Sequence, residues 1–343
     1  MKVVINGRFL SRQMTGVERY GREIVRCLSG RVQVIEPLRW RRGLKGHTWE
    51  QLILPAMLGR DTLLWSPANT GPLFVASQVL TLHDLSPLEH PEWFTKSFAS
   101  GYRLLLPRLV HRVRHVVTSS RVAQKKLRQV FSLPPEKVSV VPGGVNVSQF
   151  HPNQKPPTGL PRQYILFVGS LQPRKNLDGL LIAWQQLSQR FRDHWLLIAG
   201  GQDAIFRRGV YTHNIERVHY LGYVSELDLP GLYVGAQAFI MPSLDEGFGL
   251  PVLEAMACGT PVVAAAAGAL PEVVGEAGLL FKLPAISSDS LALQSMGLTE
   301  AIEHCLSDTN LRNSLVEKGL ARVQDFSWQK AANKMEAIFQ LCQ

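Results

Sequence analysis

Residues 237–261 read QAFIMPSLDEGFGLPVLEAMACGTP. Residues 237–241 form an unbroken apolar run that stops at Pro242, the pattern of a strand buried on both faces. Gly247 and Gly249 then open a loop. Pro251 stands where the first turn of a helix needs no backbone N–H, and Gly259 suits the cap that follows Cys258. The stretch is therefore a strand, a glycine loop and a helix N-terminus in succession. Unpaired N–H groups and the helix dipole make such a helix start an anion site. Glu246 precedes the loop, and Glu254 is expected in the first helical turn. Two carboxylates beside an anion site can accept hydrogen bonds from the hydroxyls of a sugar or ribose. In the blander alternative Glu254 only complements the dipole and the glycines only cap turns.

The same alternation extends outward over the whole chain. Strands are expected at 2–6, 32–36, 62–66, 78–82, 115–119 and 138–141, and again at 164–169, 195–199, 217–221, 237–241 and 261–265. Helical periodicity lies between them, as at 15–29, 96–113, 121–131, 176–191 and 250–258. Alternating β and α predicts an α/β fold with doubly wound parallel sheets. Residues 142–162 hold five prolines and interrupt the pattern, so the interdomain linker is placed there. The division is 1–155, 156–326, and a final helix, 327–343, free to pack back on the first domain. Ligands in such sheets bind at the carboxyl ends of the strands.

Composition narrows the class. A chain of 343 residues fits two domains, and 45% hydrophobic residues exclude disorder. Residues 1–150 carry 22 Lys and Arg against 9 Asp and Glu, a net of +13; the remainder carries 15 against 18, a net of −3. The basic half is expected to meet something anionic. The apolar stretch at Met1 is too short for a signal peptide, and no breaker-free run reaches membrane-span length. Cys27, Cys258, Cys305 and Cys342 show no metal or redox spacing and read as free thiols in a reducing compartment. No G-x-G-x-x-G follows the first strand, and no Walker A, zinc-ligand or helix-turn-helix word is present.

The words around Glu246 resemble a known family. E-G-F-G-L-P-V-L-E-A-M-A-C-G-T-P is similar to the E-x7-E signature of family 4 retaining glycosyltransferases, with Glu246 and Glu254 as its glutamates. The likeness continues through 268–274 (GALPEVV) and 277–281 (AGLLF). Residues 169–176 (GSLQPRKN) resemble the family's diphosphate segment, 81–85 (TLHDL) its T-x-H-D-L strand end, 15–20 (TGVERY) its first glycine loop, and 326–328 (FSW) the opening of its last helix. It covers nearly the whole chain and implies the GT-B fold, two Rossmann-like domains facing across a cleft.

The resemblance also implies roles. Arg174 and Lys175, with amides at Gly247, Phe248, Gly249 and Leu250, would stabilise a departing nucleoside diphosphate without a metal or any other cofactor. The alternative is an exposed charged turn opening a helix at Asn176, which positive charge at a helix start disfavours. Glu246 would bind the donor sugar, Glu254 the ribose, and Gly222 and Tyr223 the base. His83 would contact the sugar and the reacting centre without acting as nucleophile; taken alone it reads as a structural histidine. Gly16 would let the first loop approach the diphosphate or acceptor, or is a plain turn glycine. Retention would follow front-face displacement.

The implied function is transfer of a hexose, mannose or rhamnose favoured, from a nucleotide sugar, a GDP-sugar favoured, to a lipid-linked or other saccharide acceptor in bacterial surface polysaccharide synthesis. The alternatives are a nucleotide-sugar 2-epimerase of the same fold and, from charge alone, a basic nucleic-acid-binding protein. The basic stretches 39–45 and 102–114 suggest contact with the anionic inner face of the cytoplasmic membrane, or a core-facing helix with a basic outer face. The expected location is cytoplasmic and peripheral to that membrane, with no nucleic-acid partner. Residues 282–299 read as a surface insertion.

Overall fold

The computed structural model describes residues 2–11, 14–30, 32–37, 43–201, 215–284 and 291–343. The chain divides into two compact units. One holds Met1–Pro91, Lys96–Gly144 and Ser327–Gln343; the other holds Glu92–Thr95 and Val145–Phe326.

The first unit is built on six parallel strands: β1 (Lys2–Asn6), β2 (Gln33–Ile35), β3 (Thr62–Ser66), β4 (Gln78–Thr81), β5 (His115–Thr118) and β6 (Val138–Val140). They lie in the order β2-β1-β3-β4-β5-β6, with Val4 opposite Leu64 and Ile5 opposite Trp65. The central strands are buried throughout, which is why their sequences are continuous apolar runs rather than alternating ones. The chain reverses its direction of travel across this sheet between β1 and β3.

The second unit repeats the plan with β7 (Tyr164–Val168), β8 (Trp195–Ala199), β9 (Val218–Gly222), β10 (Ala238–Met241), β11 (Val262–Ala265) and β12 (Leu279–Phe281). Their order is β12-β11-β10-β7-β8-β9, so the reversal falls between β7 and β10. In open α/β sheets the loops leaving the carboxyl ends of such a strand pair flank the ligand crevice. Here those loops are 169–176 and 242–249.

The final helix, Trp328–Leu341, belongs to the first unit. Ser327 caps it by accepting a bond from the Lys330 amide. Its Trp328, Ala331, Ala332, Met335, Ile338 and Phe339 form a buried stripe at helical spacing. Phe339 lies 5.8 Å from Trp65 and Trp328 lies 6.1 Å from Tyr20, ring centre to ring centre. The Glu336 carboxylate accepts bonds from the amide and hydroxyl of Ser29, and Arg114 donates to the Cys342 carbonyl.

Several expectations are corrected. The units divide at Gly144–Val145, not at 155. The proline-rich stretch after Val145 packs on the second unit: Phe150 is buried with its ring 6.1 Å from Tyr233, and the Val145 amide donates to the Phe326 carbonyl. Prolines remove amide donors but leave side chains free to anchor, so this linker sequence carries buried contacts. In 102–114, Leu106, Leu109, Val110 and Val113 enter the core beside Leu80, Leu127 and Phe131. Arg103, Leu104, Arg108 and Arg112 remain outside, so the helix turns its apolar face to the core and not to a surface. Of the stretch 282–299, residues from Leu291 onward begin the helix Leu291–Ser307, while 285–290 lie outside the described residues. Arg39, Trp40, Arg41 and Arg42 also lie outside them. Among the described residues no helix is long and apolar enough to cross a membrane.

The C-terminal helix closes the first unit, so emptying its aromatic contact with Trp65 should be felt globally. Phe339→Ala is expected to cost about 3 kcal/mol, read as a lower urea midpoint with an unchanged transition slope. A midpoint equal to that of the wild type would show that the helix contributes little to the unit.

Candidate active site

The loop after β7 and the loop after β10 are knitted together. After β7 the chain makes a short 3-10 turn, Pro173–Lys175, and Asn176 follows with φ of 52° before the helix Leu177–Leu187. The Asn176 side-chain amide donates to the Pro242 carbonyl at 3.2 Å, and the Leu244 amide donates to the Arg174 carbonyl at 2.8 Å. The turn thereby aims both basic side chains at Glu246. Lys175 Nζ lies 2.6 Å from Glu246 Oε2, and Arg174 Nη1 lies 3.4 Å from Oε1 and 3.3 Å from the Asp245 carbonyl. All three side chains are almost buried, at 7%, 12% and 10% exposure for Lys175, Arg174 and Glu246. Burial by itself pushes the Glu246 carboxyl up, but the Arg174 and Lys175 cations outweigh it and hold it at about 2.

Behind this triad the backbone is tightly constrained. The Ala269 amide donates to the Glu246 carbonyl at 2.8 Å. Gly268 has φ of 53°, and a Cβ there would stand 2.6 Å from Asp245 Oδ1 and against the Glu246 backbone. Gly249 is the helix N-cap with φ of 102°, a conformation that needs glycine. Leu250 then begins the helix Leu250–Ala257, and the buried Phe248 sets its ring 5.8 Å from Phe326. Glu254 is the fifth residue of that helix, so it lies in the second turn and not the first. It is buried and accepts a bond of 2.9 Å from the Tyr233 hydroxyl. The helix starts at Leu250 as expected, and a turn of about 3.6 residues ends before Glu254.

The structure thus brings Arg174, Lys175 and Glu246 together and sets Gly247, Phe248, Gly249 and Leu250 next to them in sequence. Gly222 and the exposed Tyr223 stand at the end of β9, two strands from β7. His83 and Gly16 are in the first unit. Gly16 is the first residue of the helix Gly16–Cys27, after the N-cap Thr15, whose hydroxyl donates to Glu18. His83 follows β4. Its amide donates to the Asn69 side chain at 2.8 Å, and Nε2 lies 3.0 Å from the Pro67 carbonyl. A carbonyl only accepts, so Nε2 carries the proton and Nδ1 is an acceptor. Burial holds the ring below its ordinary titration range, and Tyr20 packs edge-on at 4.8 Å, so it is a neutral imidazole at neutral pH. Asp84 accepts a bond from the amide of Ser86, the first residue of the next short helix, Ser86–Glu89.

The family description "Glycosyl transferases group 1" matches residues 151–322, and "Glycosyltransferase Family 4" matches 73–149. The O-antigen chain mannosyltransferase B of Escherichia coli is 32% identical over 82% of this chain and 75% of its own. The chain belongs to the group 1 glycosyltransferases. Sucrose-phosphate synthase from Thermosynechococcus elongatus shares its fold, with a TM-score of 0.76, 20% identity and coverage of 99% and 98% of the two chains. So does Anabaena HepE, solved with UDP-glucose, with a TM-score of 0.71, 19% identity and 99% coverage of each. This glycosyltransferase therefore has the GT-B fold, two Rossmann-like units with six-stranded parallel sheets.

Sequence reading named Gly169 and Gly222 but missed Gly200, which joins them in a row along the carboxyl edge of the second sheet. The amide of Gly169, after β7, donates to the Ala199 carbonyl, and Gly200, after β8, donates to the Gly222 carbonyl at 2.7 Å. Gly200 has φ of 147°, and any Cβ there would run into the Gly169 carbonyl. Three adjacent strands thus end side by side in residues without side chains. The signal was present as V-G-S, A-G-G and L-G-Y at the ends of three apolar runs. Tyr233, which holds Glu254, gave no signal because its partner is distant in sequence.

The Glu246 carboxyl sits lower in the folded chain than its ordinary 4.5, so its charge stabilises the fold fully above that value and loses effect as pH falls toward 2. Glu246→Gln is expected to lower stability at neutral pH, since two buried cations lose their anion, and to flatten the acid dependence across that window. Urea midpoints measured from pH 7 downward check this. A variant as steeply acid-sensitive as the wild type would contradict the assignment.

Proposed function

We propose that this glycosyltransferase transfers mannose, with retention and without a metal, from GDP-mannose to a lipid-linked saccharide of bacterial surface polysaccharide synthesis. The observation that carries the reading is the buried Arg174–Lys175–Glu246 cluster at the β7/β10 reversal, beside the start of a glycine-capped helix. Two cations and helix-start amides suit a departing diphosphate, and a carboxylate between them suits a hydroxyl of the transferred sugar. The name of the E. coli relative supports mannose and an O-antigen acceptor.

In this mechanism the bond from the sugar anomeric carbon to the phosphate oxygen breaks as the acceptor oxygen attacks from the same face. The acceptor proton passes to the departing phosphate, so no protein nucleophile is needed. Lys175 and Arg174 stabilise the charge that grows on the leaving diphosphate. Glu254, held by Tyr233, accepts from ribose hydroxyls, and the glycine row at Gly169, Gly200 and Gly222 leaves room for the nucleotide, with Tyr223 near the base. His83 offers its Nδ1 to the donor sugar, and Gly16 keeps the first loop low.

Lys175→Ala is expected to lower kcat about a hundredfold or more, with GDP giving the largest thermal shift among GDP, UDP, ADP and dTDP. Near wild-type turnover by that variant would overturn the site assignment, and a larger shift with another base would overturn the donor. Nucleoside diphosphate released at full rate without any acceptor would favour the 2-epimerase reading.

For the membrane we place contact on a different surface from the basic stretch 102–114, most of which lies in the helix Lys96–Arg112. Leu52, Met57 and Phe74 are exposed at 66%, 54% and 73%. Gln51 clasps the loop that carries Phe74, donating to the Gly71 carbonyl and accepting from the Leu73 amide, and Lys45 and Arg60 stand exposed nearby in sequence. Apolar side chains beside cations, on a half-chain of net +13, suit an anionic bilayer. The double variant Leu52→Glu with Phe74→Glu should sediment poorly with phosphatidylglycerol vesicles that retain the wild type. Equal sedimentation of the two would remove this surface from the reading.

A further inference from the structure

The reversal point of the first sheet carries its own polar cluster, which the reaction described above does not use. Arg8 and Glu50 form an ion pair of 2.5 Å with side-chain exposures of 5% and 2%. Asn6, the last residue of β1, donates to Glu50 Oε1 at 2.8 Å and to Ser66 Oγ, at the end of β3, at 3.3 Å. The His47 ring lies against the guanidinium, with Nδ1 3.1 Å from Nη1 and Nε2 3.2 Å from Nη2. Burial pushes the Glu50 carboxyl up, but the Arg8 cation and bonds from His47 and Asn6 outweigh it and keep it ionised at neutral pH.

Three further observations set this cluster apart from an ordinary structural pair. Burying both charges is costly, and an apolar pair of the same volume would hold the fold as well or better. Glu50 is delivered by a π turn, Trp49–Ile53, that interrupts the run from Gly43–Thr48 to Leu54–Ala56. Such turns are less stable than α-helix and recur at functional sites. A small, partly open cavity is also lined by Asn6, Arg8, Phe9, Glu50, Pro67, Ala68 and Thr70, with room for one water-sized group. Its walls are the carboxyl ends of β1 and β3, where an open α/β sheet places its ligand.

Thr70 shows what this pair recognises. Its hydroxyl donates to Glu50 Oε1 at 3.2 Å and accepts from Arg8 Nη1 at 3.3 Å. A hydroxyl has one proton and spare lone pairs, so a carboxylate and a guanidinium side by side satisfy both of its roles. A phosphate would meet the Glu50 carboxylate, and a cation would meet Arg8. The pair therefore selects a neutral hydroxyl over either ion.

We propose that the cavity at Asn6, Arg8, Glu50 and Thr70 is a saccharide subsite of the first unit that seats one hydroxyl of the acceptor sugar, with His47 beside Arg8 at its edge. The inference rests on the glycosyl-transfer reading, and its test separates the two. Binding of methyl α-mannoside, methyl α-rhamnoside and methyl β-N-acetylglucosaminide to the full chain is followed by saturation-transfer NMR, and GDP binding by calorimetry. The wild type should bind at least one glycoside, with no displacement by equal inorganic phosphate. Thr70→Val, which keeps the shape and removes the hydroxyl, should weaken that glycoside about tenfold. His47→Gln, at a half-exposed position that does not threaten folding, should weaken it as well. GDP affinity should stay at the wild-type value in both variants, which also certifies that they fold. The subsite is overturned if no glycoside binds, if both variants bind it as the wild type does, or if phosphate displaces it. Failure of the wild type to bind any of GDP, UDP, ADP or dTDP would instead strike the glycosyl-transfer reading, whatever the glycosides do.

Discussion

The second unit is organised around one carboxylate. Glu246 is nearly buried, which makes an isolated charge there costly. Its charge persists only because Lys175 and Arg174 reach it from the neighbouring strand end, and they reach it only because β7 and β10 are adjacent. Each of the three charges would be costly without the others. The surrounding backbone answers to this requirement. Asn176 takes a left-handed conformation to turn the basic pair inward, and Gly268 leaves space for the Glu246 backbone. Gly249, at its positive φ, turns the chain into the helix Leu250–Ala257.

The first unit places polar groups at its own reversal point by the same logic. There the ion pair is Arg8–Glu50, and the strand ends are β1 and β3. The two clusters differ in balance. The second sets two cations about one carboxylate and suits a diphosphate; the first sets one against one and suits a neutral hydroxyl. A single topological rule thus sets two polar clusters of different charge balance, because the side chains at the strand ends differ while the sheets do not.

Much of this was legible in the residues. All the strands expected from apolar runs form, within a residue or so at each end, because parallel strands buried on both faces leave an unbroken hydrophobic signature. Arg174, Lys175 and Glu246 were marked by the glycine, proline and charge words around them. The turn geometry at Pro173–Lys175 follows from local residue types. What escaped was non-local. Glu254 was expected to serve the first turn of its helix, yet it lies a turn later and is held by Tyr233. The stretch 102–114 read either as a membrane-seeking segment or as a core-facing helix, and only the packing of Leu106, Leu109, Val110 and Val113 beside Phe131 decides for the core. Periodicity reports that a face is apolar and is silent on what covers it.

The sequence by itself determined the α/β class, the repeat of the plan in two halves and the family. Each depends on interactions between near neighbours in the chain, or on words long enough to be unambiguous. Tertiary structure alone decided that the last helix completes the first unit, that the proline-rich stretch after Val145 belongs to the second, and that Asn6, Arg8, Glu50 and Thr70 meet around one cavity. The physical reason is separation. Arg8 and Glu50 stand 42 positions apart, and no local propensity links them. Only the order of strands across the sheet brings β1 and β3 together, and strand order is a property of the folded chain.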